Sequence, residues 1–186
     1  MGRLIMWNLI SLDGFFEGPK SWDLDFHQHA WGPELEAFVS EQTKSVGTLL
    51  LGRVTYQGFA SYWSTQKGEM ADFMNRVPKV VFSRTLDRAE WSNTRLVKTK
   101  LESEVAKLKK EPGKDVFLFG SATLAARLSN QGLIDEYRLG IVPIVLGQGK
   151  PLFEANPEPI KMRVLEARPL GRTCLLLRCE PERAAK

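Results

Sequence analysis

The chain has 186 residues, 43% of them hydrophobic, with 26 basic against 22 acidic side chains and a net charge of +4. A chain of that length buries most of the surface it exposes when unfolded, so one domain over 1–186 is expected and no second core is needed. Lys107, Lys109 and Lys110 lie among Glu102, Glu104 and Glu111 instead of forming a basic block, and no run of about 20 apolar residues occurs, which argues against nucleic-acid and membrane partners.

Taken in chain order, Arg3 to Ile10 reads as a first strand, its apolar run interrupted by Asn8 and followed by no signal-like cleavage pattern. Ser11 to Gly32 reads as a long connection holding Asp13-Gly14, Gly18-Pro19 and Phe15, Phe16, Trp22, Phe26 and Trp31; long aromatic loops of this kind are functional or packed lids. His27 and His29 within it form an HxH pair with no cysteine or third histidine nearby, so no metal is expected. Pro33, followed by Glu34 and Glu36, opens a helix to about Lys44 with Leu35, Phe38 and Val39 inward.

Thr48 to Leu51 is a buried strand ending at Gly52, Val54 to Tyr62 and Glu69 to Arg76 are helical, and Lys79 to Ser83 and Thr94 to Val97 are further strands. Leu101 to Lys110 is a helix stopped by Pro112-Gly113. Strand alternating with helix implies a mainly parallel sheet. Pro151, Pro157 and Pro159 then break the pattern, and Met162 to Glu166 with Cys174 to Cys179 form an antiparallel hairpin about residues 169–172. Cys174 and Cys179 fall five apart on one strand and cannot pair locally, which predicts reduced thiols and a cytoplasmic chain.

The richest stretch is Asp115 to Phe153. Val116 to Phe119 is a short buried strand, and Gly120 allows a tight turn. Ser121 is placed to cap a helix whose apolar face is Leu124, Ala125 and Leu128. The unpaired N–H groups of such a helix start suit a phosphate. Gly132 stops the helix. Tyr137, Leu139 and Ile141 alternate as a half-buried strand does, and that strand runs on to Leu146. Gly147-Gln148-Gly149-Lys150 resembles a phosphate loop but leads into Pro151, so it reads as a turn first and a site second.

Two more strand ends carry similar chemistry: Gly52-Arg53-Val54-Thr55 and Ser83-Arg84. Three such junctions meet along one sheet edge, where open α/β sheets bind ligands. A guanidinium engages a phosphate through two hydrogen bonds and stacks on a flat base, so Arg53 and Arg84 favour a cofactor with a phosphorylated ribose. Neither a G-x-G-x-x-G run nor a P-loop is present, and no nucleophile elbow suggests a hydrolase.

These residues carry a resemblance. S-L-D-G-F-F-E-G at Ser11 to Gly18, L-L-L-G-R-V-T-Y at Leu49 to Tyr56, V-F-S-R-T-L at Val81 to Leu86, F-G-S-A-T-L, and G-L-I-D-E-Y-R-L through G-K-P-L-F resemble the dihydrofolate-reductase-like superfamily. Within it they are most similar to the RibD C-terminal reductase family of riboflavin biosynthesis. The resemblance implies a three-layer α/β/α fold with a mainly parallel sheet and an antiparallel C-terminal hairpin. It also implies NADPH across the strand ends, hydride transfer to a C=N or C=O group, and a homodimer.

By motif, Gly52, Arg53 and Thr55 would approach the cofactor phosphates, Ser83 and Arg84 the adenosine ribose with its 2′-phosphate, and Gly120, Ser121, Ala122, Thr123 and Leu124 the pyrophosphate. Asp13 and Gly14 would lie beside the nicotinamide, and Glu36 would fall where dihydrofolate reductases hold their substrate-binding carboxylate, which makes Glu36 and Asp13 the candidate catalytic residues and Gly14 a cofactor-binding one. A carboxyl buried there among apolar neighbours has its pKa raised toward the range useful for proton supply. The deaminase motifs H-x-E and P-C-x-x-C are absent, and Ser121 stands where the riboflavin enzymes commonly have a second glycine. The expected function is an NADPH-dependent reduction of a small heteroaromatic or imine substrate. The alternatives are dihydrofolate reduction, a catalytically idle nucleotide-binding protein, and a scaffold without nucleotide.

Overall fold

The computed structural model describes residues 2–98, 100–111, 113–153 and 158–182; Pro112 and Pro157, two of the expected breakers, lie outside them. Its organising element is β1, Leu4–Ser11, buried along its whole length. Side chains alternate across a strand. Ile5, Trp7 and Leu9 therefore enter one core with Leu35 and Met74, while Leu4, Met6 and Ile10 enter a second with Val105, Leu124 and Leu128. A strand apolar on both faces belongs inside a parallel sheet covered by helices on both sides.

The remaining elements are β2 (Phe15–Glu17), α1 (Phe26–Ala30), α2 (Pro33–Thr43), β3 (Val46–Gly52), α3 (Arg53–Trp63), α4 (Glu69–Arg76), β4 (Lys79–Phe82), β5 (Thr94–Val97), α5 (Leu101–Lys110), β6 (Asp115–Phe119), α6 (Ala122–Asn130), β7 (Glu136–Val142), β8 (Lys150–Pro151), β9 (Met162–Pro169) and β10 (Leu175–Pro181). The main sheet has the order β5-β4-β3-β6-β1-β7-β10-β9. Pairing is parallel from β5 to β7. β10 then runs antiparallel to both β7 and β9. Helices α1 to α4 contribute to one core and α5 and α6 to the other, which completes three layers.

Three expectations are corrected. The stretch 11–32 is not all connection, because β2 pairs with β8 from the far end of the chain and α1 buries Phe26 and Ala30. The strand expected to run to Leu146 ends at Val142. Pro143 has no N–H to continue the ladder, and the Leu146 and Gly147 N–H groups donate to the Asp13 carboxylate instead.

β7 is also buried on both faces and not on one, because it lies between β1 and β10. Its polar side is sealed by charge pairing: the Glu136 carboxylate, 1% exposed, accepts from Arg3, Arg138 and Arg178 at 2.7 Å each. Burial pushes that carboxyl's pKa up, but the hydrogen bonds and charges of Arg138 and Arg178 outweigh burial and leave it below the ordinary value.

Candidate active site

The order of the sheet sets β3 beside β6 and β6 beside β1, so the ends of these strands adjoin. At the end of β6 the chain turns through Gly120 and Ser121, both left-handed at φ 61° and 60°. Ser121 was expected to cap α6; it makes no capping hydrogen bond, because its backbone lies in the left-handed region. Its hydroxyl instead accepts the Gly52 N–H at 2.9 Å and donates to Thr55 Oγ1 at 2.7 Å, tying the β3–α3 and β6–α6 junctions together. Glycine suits this close approach: a Cβ on Gly120 would crowd Thr55 Cγ2 at 3.1 Å, and one on Gly52 would crowd Ser121 Oγ at 3.1 Å. From β1, Asn8 Oδ1 accepts the Gly120 N–H at 2.9 Å.

A cleft of about 1520 Å³ opens over these junctions and continues down the face covered by α1 to α4. Gly52, Arg53 and Thr55 line it, as do Gly120 to Leu124 and Glu36. Arg53 reaches Gln57 at 3.1 Å and is exposed. The first N–H groups of α6 precede its internal ladder, which begins with the Ala125 N–H on the Ser121 carbonyl at 2.8 Å.

Glu36 is exposed, not buried as expected. Leu35 takes the inward position at the start of α2, and one residue of helix turns the next side chain about 100° away, toward the cleft mouth.

The other expected residues are not cleft-lining. Asp13 is exposed, and its carboxylate accepts from the Ser11 hydroxyl (2.6 Å) and the Leu146 and Gly147 N–H groups (3.2 and 2.7 Å). The Ser11 hydroxyl above all holds its pKa below the ordinary value; burial opposes it, and the backbone donors add smaller lowering effects. Gly14, at φ 88°, makes the adjoining turn and its carbonyl accepts the Leu152 N–H. Ser83 Oγ accepts the Thr85 and Leu86 N–H groups just after β4, and Arg84 is exposed beside it.

Asn8, Trp22, His27 and Gln42 are among the lining residues that the sequence did not mark as site residues. Asn8 was visible only as a lone amide in an apolar strand. Trp22, at φ 63°, lays its indole against α3 where a Cβ on Gly58 would come within 1.9 Å of its ring. His27 packs edge-on against Phe26 at 4.5 Å, and burial lowers its pKa to about 4 despite a hydrogen bond with the Phe16 backbone. Gln42 Oε1 accepts a hydrogen bond from Arg138 Nη1 at 3.1 Å. Asn8 Nδ2, His27 Nε2 and Gln42 Nε2 are the buried side-chain nitrogens without a partner among the described residues, and all three residues line this cleft. Buried polar groups are rarely left so.

An open, mainly parallel sheet ending in an antiparallel pair, with a large cleft across its strand ends, defines the dihydrofolate-reductase-like class of α/β protein. Within that class the chain belongs to the RibD C-terminal domain family, which it matches over residues 3–176. It is 34% identical over 172 residues to the uncharacterised protein YyaP of Bacillus subtilis (strain 168), covering 89% of this chain and 88% of YyaP.

Among solved structures, a protein from Shewanella sp. PV-4 named for riboflavin biosynthesis superposes with a TM-score of 0.80 at 23% identity, over 97% of this chain and 99% of that one. Dihydrofolate reductase from Enterococcus faecalis, complexed with NADP(H), superposes with a TM-score of 0.59 at 14% identity, over 98% of each chain. No helix among the described residues is long and apolar enough to cross a membrane.

Proposed function

We propose that the chain is an NADPH-dependent reductase acting on a small heteroaromatic or imine substrate, with chemistry of the 5-amino-6-(5-phosphoribosylamino)uracil reductase type. The observation that carries this reading is the Asn8–Gly120–Ser121–Gly52–Thr55 junction, where two glycines bring two turns into contact beneath a cleft large enough for a dinucleotide. The residues present fit such a group: a buried amide nitrogen lacks an acceptor, a helix start lies at the turn, and an arginine stands at the cleft wall.

Gly52, Arg53 and Thr55 would hold phosphate, and the backbone from Gly120 to Leu124 the pyrophosphate. Ser83 and Arg84, one strand further out, would meet the 2′-phosphate. NADPH bound there supplies the hydride. The chain's own part is to orient the substrate, exclude water with the aromatic residues of 15–31, and deliver a proton from Glu36, which lines the cleft. Asp13 acts as a positioning residue that holds the 11–17 turn against 146–147. The same reading makes the chain one domain over 1–186 and a cytoplasmic homodimer.

The test is thermal unfolding with NADPH, with NADH and without nucleotide. A ligand that binds only the folded state at a hundred times its Kd adds about 2.7 kcal/mol. A larger shift with NADPH than with NADH supports the reading, and turnover is then read as loss of reduced nicotinamide on a substrate panel. No shift with either nucleotide ends it. Binding without turnover across a broad panel of pterins and pyrimidines supports the idle nucleotide-binding protein instead.

A further inference from the structure

Asn8 sits on the central strand near its carboxyl end, opposite Leu139 of β7, with 6% of its surface exposed. Its orientation is fixed: Oδ1 accepts the Gly120 N–H at 2.9 Å, so the other end of the amide is NH₂. That Nδ2 is buried and has no partner among the described residues, although Asn8 lines the cleft. An orphaned buried amide donor costs free energy, and a residue needed only to accept the Gly120 N–H has no use for it. The turn that Asn8 holds leads directly into α6, a nine-residue helix whose N-terminal end carries the positive end of the helix dipole. A side-chain donor and a helix start thus sit together at one turn and call for an anionic oxygen.

We propose that Asn8 is a binding residue for the pyrophosphate of the dinucleotide, donating Nδ2–H to a phosphoryl oxygen while its Oδ1 holds the Gly120–Ser121 turn in the shape that receives it. This rests on the nicotinamide-nucleotide reading of the cleft and adds to it a neutral donor from the strand opposite the helix start. The amide does both tasks at once. An acid in its place keeps the acceptor for Gly120 but sets a negative oxygen against the phosphate.

The test compares the native chain with Asn8→Asp and Asn8→Ser, using quenching of tryptophan emission and the shift in melting temperature as readouts. The ligands are NADPH and adenosine 2′-monophosphate, which carries the 2′-phosphate but has no phosphate at its 5′ position and no nicotinamide. Both variants should bind adenosine 2′-monophosphate as the native chain does, which also establishes that they are folded. Each should bind NADPH about ten- to a hundred-fold more weakly. Asn8→Ser carries the test if the buried acid of Asn8→Asp prevents folding.

Native-like NADPH affinity in the folded variants overturns the proposal and leaves the reductase reading in place. Equal loss of both ligands overturns it too, by making Asn8 a general support of the fold. Failure of the native chain to bind any dinucleotide removes the reading of the cleft itself, and the proposal with it.

Discussion

Ser121 donates its hydroxyl hydrogen to Thr55 Oγ1 at 2.7 Å while accepting the Gly52 N–H at 2.9 Å, and it does so from a left-handed backbone conformation. For a residue with a Cβ that conformation costs about 1–2 kcal/mol, whereas each hydrogen bond contributes about 0.5–1.5 kcal/mol. Ser121→Ala loses both bonds and keeps the strain, so it should lose about 1–3 kcal/mol of stability. Ser121→Gly loses the same bonds but relieves the strain and should be the more stable of the two by about 1 kcal/mol. Urea unfolding of the pair checks the order, and the reverse order would show that the hydroxyl is not what holds the turn.

Gly58 supports Trp22 because it has no side chain. In Gly58→Ala the new Cβ would stand 1.9 Å from the indole ring, so the indole must leave. Alanine is the better helix residue by about 0.5–1 kcal/mol, so global stability should change little. The 18–24 loop should be cleaved faster in limited proteolysis and tryptophan emission should shift to the red. Unchanged cleavage would mean that the loop is held by Glu17 and Asp23 alone.

His27 should make the fold acid-sensitive. Its folded pKa of about 4 lies below the model-compound value of 6.5 because burial disfavours the charged ring. Between those values the unfolded chain binds a proton that the folded one does not, so stability is complete above 6.5 and falls as pH drops toward 4. The loss ascribable to this ring amounts to about 3 kcal/mol. His27→Phe should flatten that part of the pH–stability curve, while His29→Gln at an exposed position should not.

Removing the charge of Glu136 should cost far more than removing an exposed partner. Glu136→Gln leaves the buried Arg138 without its carboxylate, while Arg3 and Arg178 keep Asp115 and Glu166, and should lose about 3–5 kcal/mol. Glu41→Gln removes one end of the exposed Lys44–Glu41 pair and should lose less than about 1 kcal/mol. Denaturant midpoints of the two variants make the comparison, and similar values would refute the role given to burial.

Arg53 and Arg84 should separate by ligand. Arg53 lines the cleft, so Arg53→Ala should weaken NADPH and NADH alike by about ten-fold. Arg84 lies beyond the lining, so Arg84→Ala should weaken NADPH and leave NADH nearly unchanged. Titration of both nucleotides at two salt concentrations decides it, and equal effects of Arg84→Ala on the two would remove the 2′-phosphate assignment.

Much of the fold is legible where the physics is local. Period-3.6 apolar spacing and charged ends place Glu69–Arg76 and Leu101–Lys110 at the bounds the structure has, and the short apolar run before Gly120 is a buried strand. Gly120 and Gly132 flank α6 as expected, whereas Pro151, expected as a break, lies in β8; the motif at Gly52 to Thr55 with that at Gly120 to Leu124 gives two walls of one cleft.

Other features depend on residues far apart in sequence. β2 exists only because Phe15–Glu17 meets Lys150–Pro151, and β7 is buried on both faces only because β10 returns beside it. The same holds for single side chains. Ser121 reads as a cap until Gly52 and Thr55 are within reach, Glu36 reads as a buried acid until Leu35 takes the inward side of the turn, and Asn8 reads as an interruption until Gly120 donates to it. Sequence by itself determined most of the helices, most strands of the main sheet and the chemistry available at each strand end, since these follow from neighbours three or four residues away. Only tertiary structure decided which groups find partners and which face the cleft unpaired, because satisfying a buried donor depends on whatever the folded chain brings within 3 Å of it.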